Sequence, residues 1–175
     1  MDTLSGSKKV ISIVASKSNM GKTTLIEGLI PIFKKNGYKV GVLKYDVKKF
    51  EMDREGKDSY RFTKAGADTM IIASENKMAM VKNIEEDHSI EDVINYFENM
   101  DLIIVEGFKS NHYPQIEIHR KERSSKLLYR DSSFDTSNFI AVITDELLKD
   151  LKLPQLHLNN IGEIVEFIEK NVIKK

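Results

Sequence analysis

The chain has 175 residues, of which 41% are hydrophobic and 31% are charged, a composition that excludes a disordered or fibrous protein. Lysine plus arginine and aspartate plus glutamate both number 27, so the net charge of zero favours neither nucleic acid nor an anionic membrane as partner. The absence of cysteine excludes disulfides and zinc–thiolate sites, and with no signal-like or membrane-spanning run it favours a cytoplasmic protein. We expect one domain over residues 1–175, with residues 1–7 as a flexible tail.

Strand-like and helix-like segments alternate along the chain. Short β-branched runs predict buried strands, and apolar residues at three- to four-residue spacing predict amphipathic helices between them. The predicted strands are residues 8–15, 39–44, 67–74, 77–83, 101–108, 115–120, 139–145 and 153–160. The predicted helices are residues 25–36, 58–64, 89–99 and 160–172. This order favours an α/β fold with three layers, in which a largely parallel sheet is flanked by helices and joined by right-handed crossovers.

Local features refine these elements. Pro31 removes a backbone hydrogen bond from the first helix, so we expect a kink before the last turn. Ser89 and Asp92 form a capping-box pattern, which predicts where the third helix begins. The first strand is expected at the centre of the sheet, residues 139–145 inside it, and the last strand at an edge. Residues 67–83 form either a hairpin or two separate edge strands.

The segment between the first strand and the first helix carries the strongest functional pattern. It matches the phosphate-loop pattern G-x-x-x-x-G-K-S/T, with Ser16 in place of the first glycine. Such a loop needs a tight turn with converging amides, a helix N-terminus, an ammonium group for the β- and γ-phosphates and a hydroxyl for Mg²⁺. Gly21, Lys22 and Thr23 meet the demanding positions, and a chance helix cap is the alternative. The predicted nucleotide-binding residues are Lys17, Ser18, Asn19, Met20, Gly21, Lys22, Thr23 and Thr24, with Lys22 also catalytic.

A carboxylate ends the predicted strand at residues 101–108. Because the carboxyl ends of parallel strands meet at one edge of a sheet, Glu106 is expected beside the phosphate loop. There it can hold Mg²⁺ together with Thr23, directly or through water, or orient the attacking water. Glu106 is therefore the second predicted catalytic residue, and a solvated strand end is the alternative interpretation.

The long polar loop after the second strand is a candidate switch-like loop. Lys57 and Arg61 are four residues apart where the next helix begins, so both can reach one phosphate while Asp46 or Asp53 faces the metal. A solvated face of mixed charge is an equally good interpretation of this segment.

Thr144 and Asp145 follow a late strand. An aspartate on such an exit loop can accept two hydrogen bonds from guanine, which adenine does not donate in the same way. The full N-K-x-D pattern is absent, and from these two residues alone a plain turn carboxylate is the simpler interpretation. The four histidines do not have metal-ligand spacing, so no zinc site is expected.

Taken together, these motifs resemble the molybdopterin-guanine dinucleotide biosynthesis protein B (MobB) family of small P-loop proteins. The resemblance covers nearly all of residues 9–168. The matching segments are residues 17–31, 37–44, 50–67, 101–109, 114–120 and 141–145. The GKDSYR and VEGFK elements within them are more specific than a phosphate loop alone.

This resemblance implies binding of GTP with Mg²⁺, slow GTP hydrolysis, formation of a homodimer, and an accessory role to MobA, the guanylyltransferase that attaches GMP to molybdopterin. It also implies contact with molybdopterin-bound proteins. It adds Gly107 to the nucleotide-binding residues and strengthens the assignment of Glu106, Thr144 and Asp145. In the switch-like loop it points to Lys57, Asp58, Ser59 and Arg61.

The chain departs from the family in two places. Many relatives have a K-H-x-H-H pattern after the second strand, where this sequence reads Lys44-Tyr45-Asp46-Val47-Lys48-Lys49. A histidine-dependent metal or phosphate contact is therefore not expected, and lysines take over the binding of anions. Glu55 also replaces a proline that often precedes the GKDS element.

Two other functions compete with the GTP-dependent adapter. In an ATP-dependent small-molecule kinase, Arg120, Lys121, Arg123 and Arg130 would form a mobile cationic lid over the transferring phosphates. In a partition-type NTPase switch, Lys17 would reach across a dimer to the partner's nucleotide. Ser18 and Asn19 replace the two glycines of that signature. The adapter hypothesis predicts slow turnover, because the sequence places no obvious arginine to complete the transition state.

Overall fold

A computed structural model of the chain describes residues 8–45, 54–84, 88–109 and 112–175. The tail expected at residues 1–7, together with Asp46 and Asp53, lies outside the described residues. The chain divides into two compact units, residues 1–46 with 94–175, and residues 47–93. A single domain over the whole chain stays a prediction.

The strands and helices follow the predicted alternation. The strands are β1 (Val10–Val14), β2 (Val40–Lys44), β3 (Thr69–Ala73), β4 (Met78–Lys82), β5 (Leu102–Glu106), β6 (Gln115–His119), β7 (Phe139–Thr144) and β8 (Gln155–His157). The α-helices are α1 (Lys22–Lys35), α2 (Asp58–Lys64), α3 (Ile90–Ile94) and α4 (Ile161–Ile168). A 3-10 turn covers Leu128–Arg130, and a π-helical turn at Glu169–Ile173 extends α4.

The first unit is built around a six-stranded sheet in the order β2-β5-β1-β6-β7-β8, and all of its strand pairs are parallel. β1 lies at its centre, β7 inside it and the three-residue β8 at an edge. Both faces of β1 are buried, which explains why its sequence is apolar without alternation. The predicted α/β fold with a largely parallel sheet and flanking helices is confirmed.

One face of the sheet packs against α1 and α4. Their apolar side chains, among them Leu29, Phe33 and Ile164, form one core cluster with alternate residues of β1, β5, β6 and β7. α1 continues through Pro31 to Lys35 as a single helix of 14 residues. Pro31 is exposed, so water can bond to the carbonyl group that loses its amide partner.

The other face of the sheet contains a buried carboxylate. Glu117 of β6 is fully buried, and its carboxylate accepts hydrogen bonds from the amides of Leu128 (2.7 Å) and Tyr129 (3.0 Å). Burial raises the pKa of Glu117, although the two hydrogen bonds oppose the shift. The 3-10 turn is thereby tied to β6, and Leu128 packs with Val14 and Phe139.

In the second unit, β3 and β4 form the antiparallel hairpin that was one of the two predicted alternatives. α2 occupies the predicted residues and is followed by Gly66 at a φ of 102°. The capping box at the start of α3 is confirmed, since the amide and hydroxyl of Ser89 donate to Asp92 (3.1 and 2.7 Å) and the Asp92 amide donates back (3.2 Å).

One predicted helix end is wrong. α3 ends at Ile94 rather than Asn99, because the amide of Phe97 bonds to the Ile94 carbonyl in a tighter turn and Asn99 takes a φ of 54°. The terminal helix reaches its predicted end, but it changes to a π-helical turn after Ile168, where the Lys174 amide bonds to the Glu169 carbonyl. Apolar spacing predicted both helices but not the hydrogen bonds that end α3 or the change to π-helical geometry.

Candidate functional site

The predicted phosphate loop lies at the carboxyl end of β1 and leads directly into α1. Its backbone makes a sharp turn, with φ values of 62° at Asn19 and 98° at Gly21, and glycine tolerates such a value at little cost. Met20 is fully buried and anchors the loop, whereas Lys17 and Ser18 are exposed. The loop therefore presents its backbone at a helix N-terminus, an arrangement that binds anions.

Three lysines line a cavity of about 430 Å³ beside this loop. Lys17 and Lys22 come from the loop and the start of α1, and Lys109 follows β5. Lys109 donates to the carbonyl of Ser16 at 3.3 Å. Three ammonium groups around one cavity favour a ligand with several negative charges.

The electrostatic surroundings of Lys22 point in the same direction. Desolvation lowers the pKa of Lys22, and the positive charges of Lys109 and Lys44 add to this effect, while the Glu106 carboxylate opposes it. A polyanion beside Lys22 would stabilise its charged form and relieve the repulsion between the lysines.

Glu106 lies where the sequence predicts it. β5 pairs with β1 so that Ile13 is opposite Glu106, and the hydroxyl of Thr23 donates to Oε1 of Glu106 at 3.0 Å. The chain turns sharply after Glu106, with the Gly107 amide bonded to the Ile13 carbonyl and a φ of 85° at Gly107. Glu106 and Gly107 are therefore both brought to the phosphate loop.

The Thr23 and Glu106 pair fits a Mg²⁺ ion bound together with a phosphate. Mg²⁺ prefers hard oxygen ligands and is commonly held by one or two protein oxygens, substrate phosphates and water. A hydroxyl and a carboxylate within hydrogen-bonding distance supply the protein's share of such a shell. Within the described parts of the chain, no group of three or more histidine, aspartate or glutamate side chains is placed to hold a metal ion.

A basic turn after β6 contacts the phosphate loop from another direction. This basic turn consists of residues 120–124. Nη1 of Arg123 donates to the Asn19 carbonyl (2.5 Å), and the hydroxyls of Ser16 and Ser124 are 3.2 Å apart. The guanidinium group of Arg120 lies against Gly21, with Nη2 3.3 Å from the position that a Cβ would occupy there. Gly21 is thus favoured by its backbone angle, and a side chain there would also crowd Arg120.

The sequence suggested that Arg120, Lys121, Arg123 and Arg130 form one cationic lid. In the structure these four side chains have different partners. Arg120 and Arg123 contact the phosphate loop, but Lys121 pairs with Glu146 (2.9 Å) and Arg130 donates to the Lys149 carbonyl. Arg130 lines a second cavity, of about 410 Å³. Both arginines closely follow β6, but this position assigns them to the loop only once β6 is known to pair with β1.

Thr144 ends β7 and Asp145 follows it, and the two side chains have different environments. Thr144 is buried and its hydroxyl donates to the Glu146 carbonyl at 3.0 Å, so this hydroxyl is used within the turn. Asp145 is exposed, and its Oδ1 accepts a hydrogen bond from the Lys121 amide at 3.3 Å. The basic turn therefore contacts both the phosphate loop and the candidate guanine-binding carboxylate.

The remaining predicted residues belong to the second unit, where they surround the start of α2. Lys57 precedes the helix in an extended conformation, and Arg61 pairs with Asp58 at 3.4 Å, both side chains being exposed. The carbonyl of Ser59 accepts from Thr63 at 3.1 Å. Their part in nucleotide binding stays a prediction.

Comparison with known proteins identifies the family. The model of the MobB family, described as molybdopterin guanine dinucleotide synthesis protein B, matches residues 10–145. The chain belongs to the MobB family. The matched region of this MobB-family chain contains the phosphate loop, Glu106, the basic turn and Asp145.

Individual relatives agree with this assignment. The molybdopterin-guanine dinucleotide biosynthesis adapter protein of Haemophilus influenzae is 30% identical over 158 residues, which are 89% of this chain and 85% of the relative. The adapter protein of the same name from Escherichia coli is 28% identical over 158 residues, 88% of each chain. A crystal structure of molybdopterin-guanine biosynthesis protein B superposes with a TM-score of 0.72 at 27% identity, covering 92% of this chain and 98% of that one.

The helices that the structure describes are short relative to a bilayer. Across the ranges that the structure describes, none combines the length and the apolar character needed to span a membrane.

Proposed function

We propose that this MobB-family chain is a GTP-binding adapter protein of molybdopterin-guanine dinucleotide biosynthesis. The observation that carries the proposal is the cavity lined by Lys17, Lys22 and Lys109, with the Thr23 and Glu106 pair at the start of α1. Three ammonium groups suit a triphosphate, and the hydroxyl and carboxylate suit its Mg²⁺. The names of the Haemophilus influenzae and Escherichia coli relatives support the biosynthetic role.

Guanine selectivity is assigned to Asp145. A carboxylate accepts hydrogen bonds from the ring N–H and the exocyclic amine of guanine, whereas adenine presents a ring nitrogen acceptor at the corresponding edge. The Lys121 amide holds Oδ1 of Asp145 at 3.3 Å, so the carboxylate is oriented before the base arrives. Oriented carboxylates at an exposed strand end support recognition of GTP rather than ATP.

The proposed hydrolysis is slow and depends on Mg²⁺. When bound, the metal ion would neutralise charge on the terminal phosphates beside Thr23 and Glu106. Lys22 is placed to neutralise further charge, and Glu106 to orient water. Arg120 and Arg123 lie on the β6 side of the loop, away from Glu106 on β5, which supports slow turnover without an arginine at the terminal phosphate. Such a rate suits a protein that acts with a MobA-like guanylyltransferase and with molybdopterin-bound proteins.

The proposal includes a homodimer formed through the β3 and β4 hairpin. Ile71 pairs across the strands with Met80, and Met78 projects on the same face. All three side chains are exposed, and a two-stranded hairpin is marginally stable unless another surface covers it. An apolar face of this kind supports pairing with the same face of a second copy.

The dimer is tested by measuring the mass of the protein in solution over a range of concentrations. An Ile71→Ser, Met80→Ser double variant should be a monomer, while Ile72→Ser, which is exposed on the opposite face, should remain a dimer. A dimer that survives the double substitution would remove the hairpin from the interface.

The function is tested by titrating the protein with GTP and with ATP, in Mg²⁺, and comparing wild type with Lys22→Ala. Selective GTP binding that Lys22→Ala abolishes is the expected result. Preference for ATP would favour the kinase or the partition-type switch, and binding that survives Lys22→Ala would place the nucleotide outside the phosphate loop.

A further inference from the structure

The basic turn approaches the phosphate loop from the side opposite to Glu106. β1 has two neighbours in the sheet, β5 on one side and β6 on the other. Glu106 ends β5, and Arg120 directly follows β6. A nucleotide whose terminal phosphate lies beside Thr23 and Glu106, and whose other phosphates follow the loop, would therefore extend its nucleoside toward the β6 side.

Hydrogen bonds hold the basic turn in this position. The amides of Arg123 and Ser124 both bond to the Arg120 carbonyl at 3.0 Å, which closes the turn. Its side chains then bond to Asn19 and Ser16 of the phosphate loop, and the Lys121 amide bonds to Asp145. The turn thus connects the loop that would bind phosphates with the carboxylate that would read the base.

We propose that the basic turn is the nucleoside-side wall of the nucleotide site. In this proposal, which rests on the proposed function, Arg123 is a flat cationic platform on which the nucleobase stacks. Arg120 contacts the phosphate nearest the ribose. Asp145 then selects guanine at the edge of the base.

The chemistry of the two arginines carries the proposal. A guanidinium group is planar and stacks on aromatic rings, and the bond from Arg123 to Asn19 fixes its plane while the side chain remains exposed. Arg120 makes no salt bridge within the described ranges, and its Nε is buried there without a hydrogen-bond partner. A buried N–H beside a phosphate loop is satisfied by an anionic oxygen.

The two roles predict different dependences on the ligand. Stacking requires a base but accepts any base, so Arg123 should matter equally for guanine and adenine nucleotides and not at all for inorganic tripolyphosphate. Arg120 should matter equally for GDP and GTP, because the terminal phosphate of GTP lies on the β5 side.

The test measures Kd for GTP, GDP, ATP and tripolyphosphate with the wild type, Arg123→Ala and Arg120→Ala. Arg130→Ala is the matched control, since Arg130 bonds to Lys149 and lines a separate cavity. Arg123→Ala should weaken the binding of GTP and of GDP by about tenfold, the effect of losing one stacking partner. It should leave the Kd for tripolyphosphate within about twofold of the wild-type value, whereas a merely structural role in the loop would change that Kd as well. Arg120→Ala should weaken the binding of GTP and the binding of GDP by equal factors.

Three results would overturn the proposal. They are unchanged nucleotide binding by Arg123→Ala, an equal loss of tripolyphosphate binding, and an equal effect of Arg130→Ala. A wild type that prefers ATP but shows the same dependence on Arg123 would support the wall and refute the GTP-binding function. A wild type that binds no nucleotide would refute both.

Discussion

The hydroxyl of Thr23 donates a hydrogen bond to Oε1 of Glu106 at 3.0 Å, although the two residues are 83 positions apart in the chain. The parallel pairing of β1 with β5 makes this contact possible, since it brings the ends of both strands to one edge of the sheet. A bound Mg²⁺ would compete for the same two oxygens. The pair therefore connects the start of α1 to the proposed metal dependence of the site.

Glu106→Gln tests this connection. Glutamine keeps the size of the side chain and can still accept the hydrogen bond, but it lacks the charge that favours Mg²⁺. We expect the affinity of the GTP-bound protein for Mg²⁺ to fall by about 10- to 100-fold, while GTP binding in a chelator is unchanged. Titration of Mg²⁺ measures this, with Glu27→Gln, exposed on α1, as the control. Equal effects of the two substitutions would contradict a local role for Glu106.

Asp145→Asn is expected to change the preferred base from guanine to xanthine. Xanthine has a carbonyl group where guanine has its exocyclic amine, and an asparagine amide can donate to that carbonyl. The variant should bind GTP roughly 30- to 100-fold more weakly, because a charge-assisted hydrogen bond is lost and its donor left unpaired. It should gain affinity for xanthosine triphosphate. Competition binding with both nucleotides measures this preference. If the variant keeps the preference of the wild type, Asp145 is a plain turn carboxylate and does not contact the base.

Two glycines should respond oppositely to alanine. At Gly41 of β2, a Cβ would lie 2.5 Å from Cδ1 of Phe97, so Gly41→Ala should lower the free energy of unfolding by about 1–3 kcal/mol through overpacking. At Gly28 in α1, the nearest atom is Cδ1 of Ile161 at 3.5 Å, an ordinary contact. Gly28→Ala should raise the free energy of unfolding by about 0.5–1 kcal/mol through helix propensity. Denaturant titration of both variants checks the signs.

The buried carboxylate of Glu117 predicts a pH dependence of stability. Burial raises its folded-state pKa above the ordinary value of 4.5, so the folded protein retains this proton after the unfolded chain has lost it. The contribution of Glu117 to stability is therefore fully present below a pH of about 4.5, and it decreases as the pH rises through the raised pKa. The difference in unfolding free energy between wild type and Glu117→Gln, measured against pH, should change in that direction. A difference that stays constant above pH 4.5 would mean that the pKa of Glu117 is not raised.

Much of the site could be predicted from local patterns. The phosphate loop has fixed spacing, and Glu106 follows from the rule that parallel strands end at one edge. Arg120 and Arg123 could not be placed in the same way, because their contact with the loop depends on β6 pairing with β1, and sequence periodicity does not give the order of strands. The end of α3 at Ile94 was also missed, since its apolar spacing continues beyond the hydrogen bonds that stop the helix.

The central place of β1 also determines when the site can form during synthesis. Among the described residues, β1 pairs with β5 and β6, so Val10 has no strand partner until Ile103 has been synthesised, and Ser12 has none until Gln115 has been synthesised. The phosphate loop is therefore made long before the strand that carries it has a neighbour in the sheet. Because these pairings are non-local, the binding geometry of the loop forms with β5 and β6 and not when the loop itself leaves the ribosome.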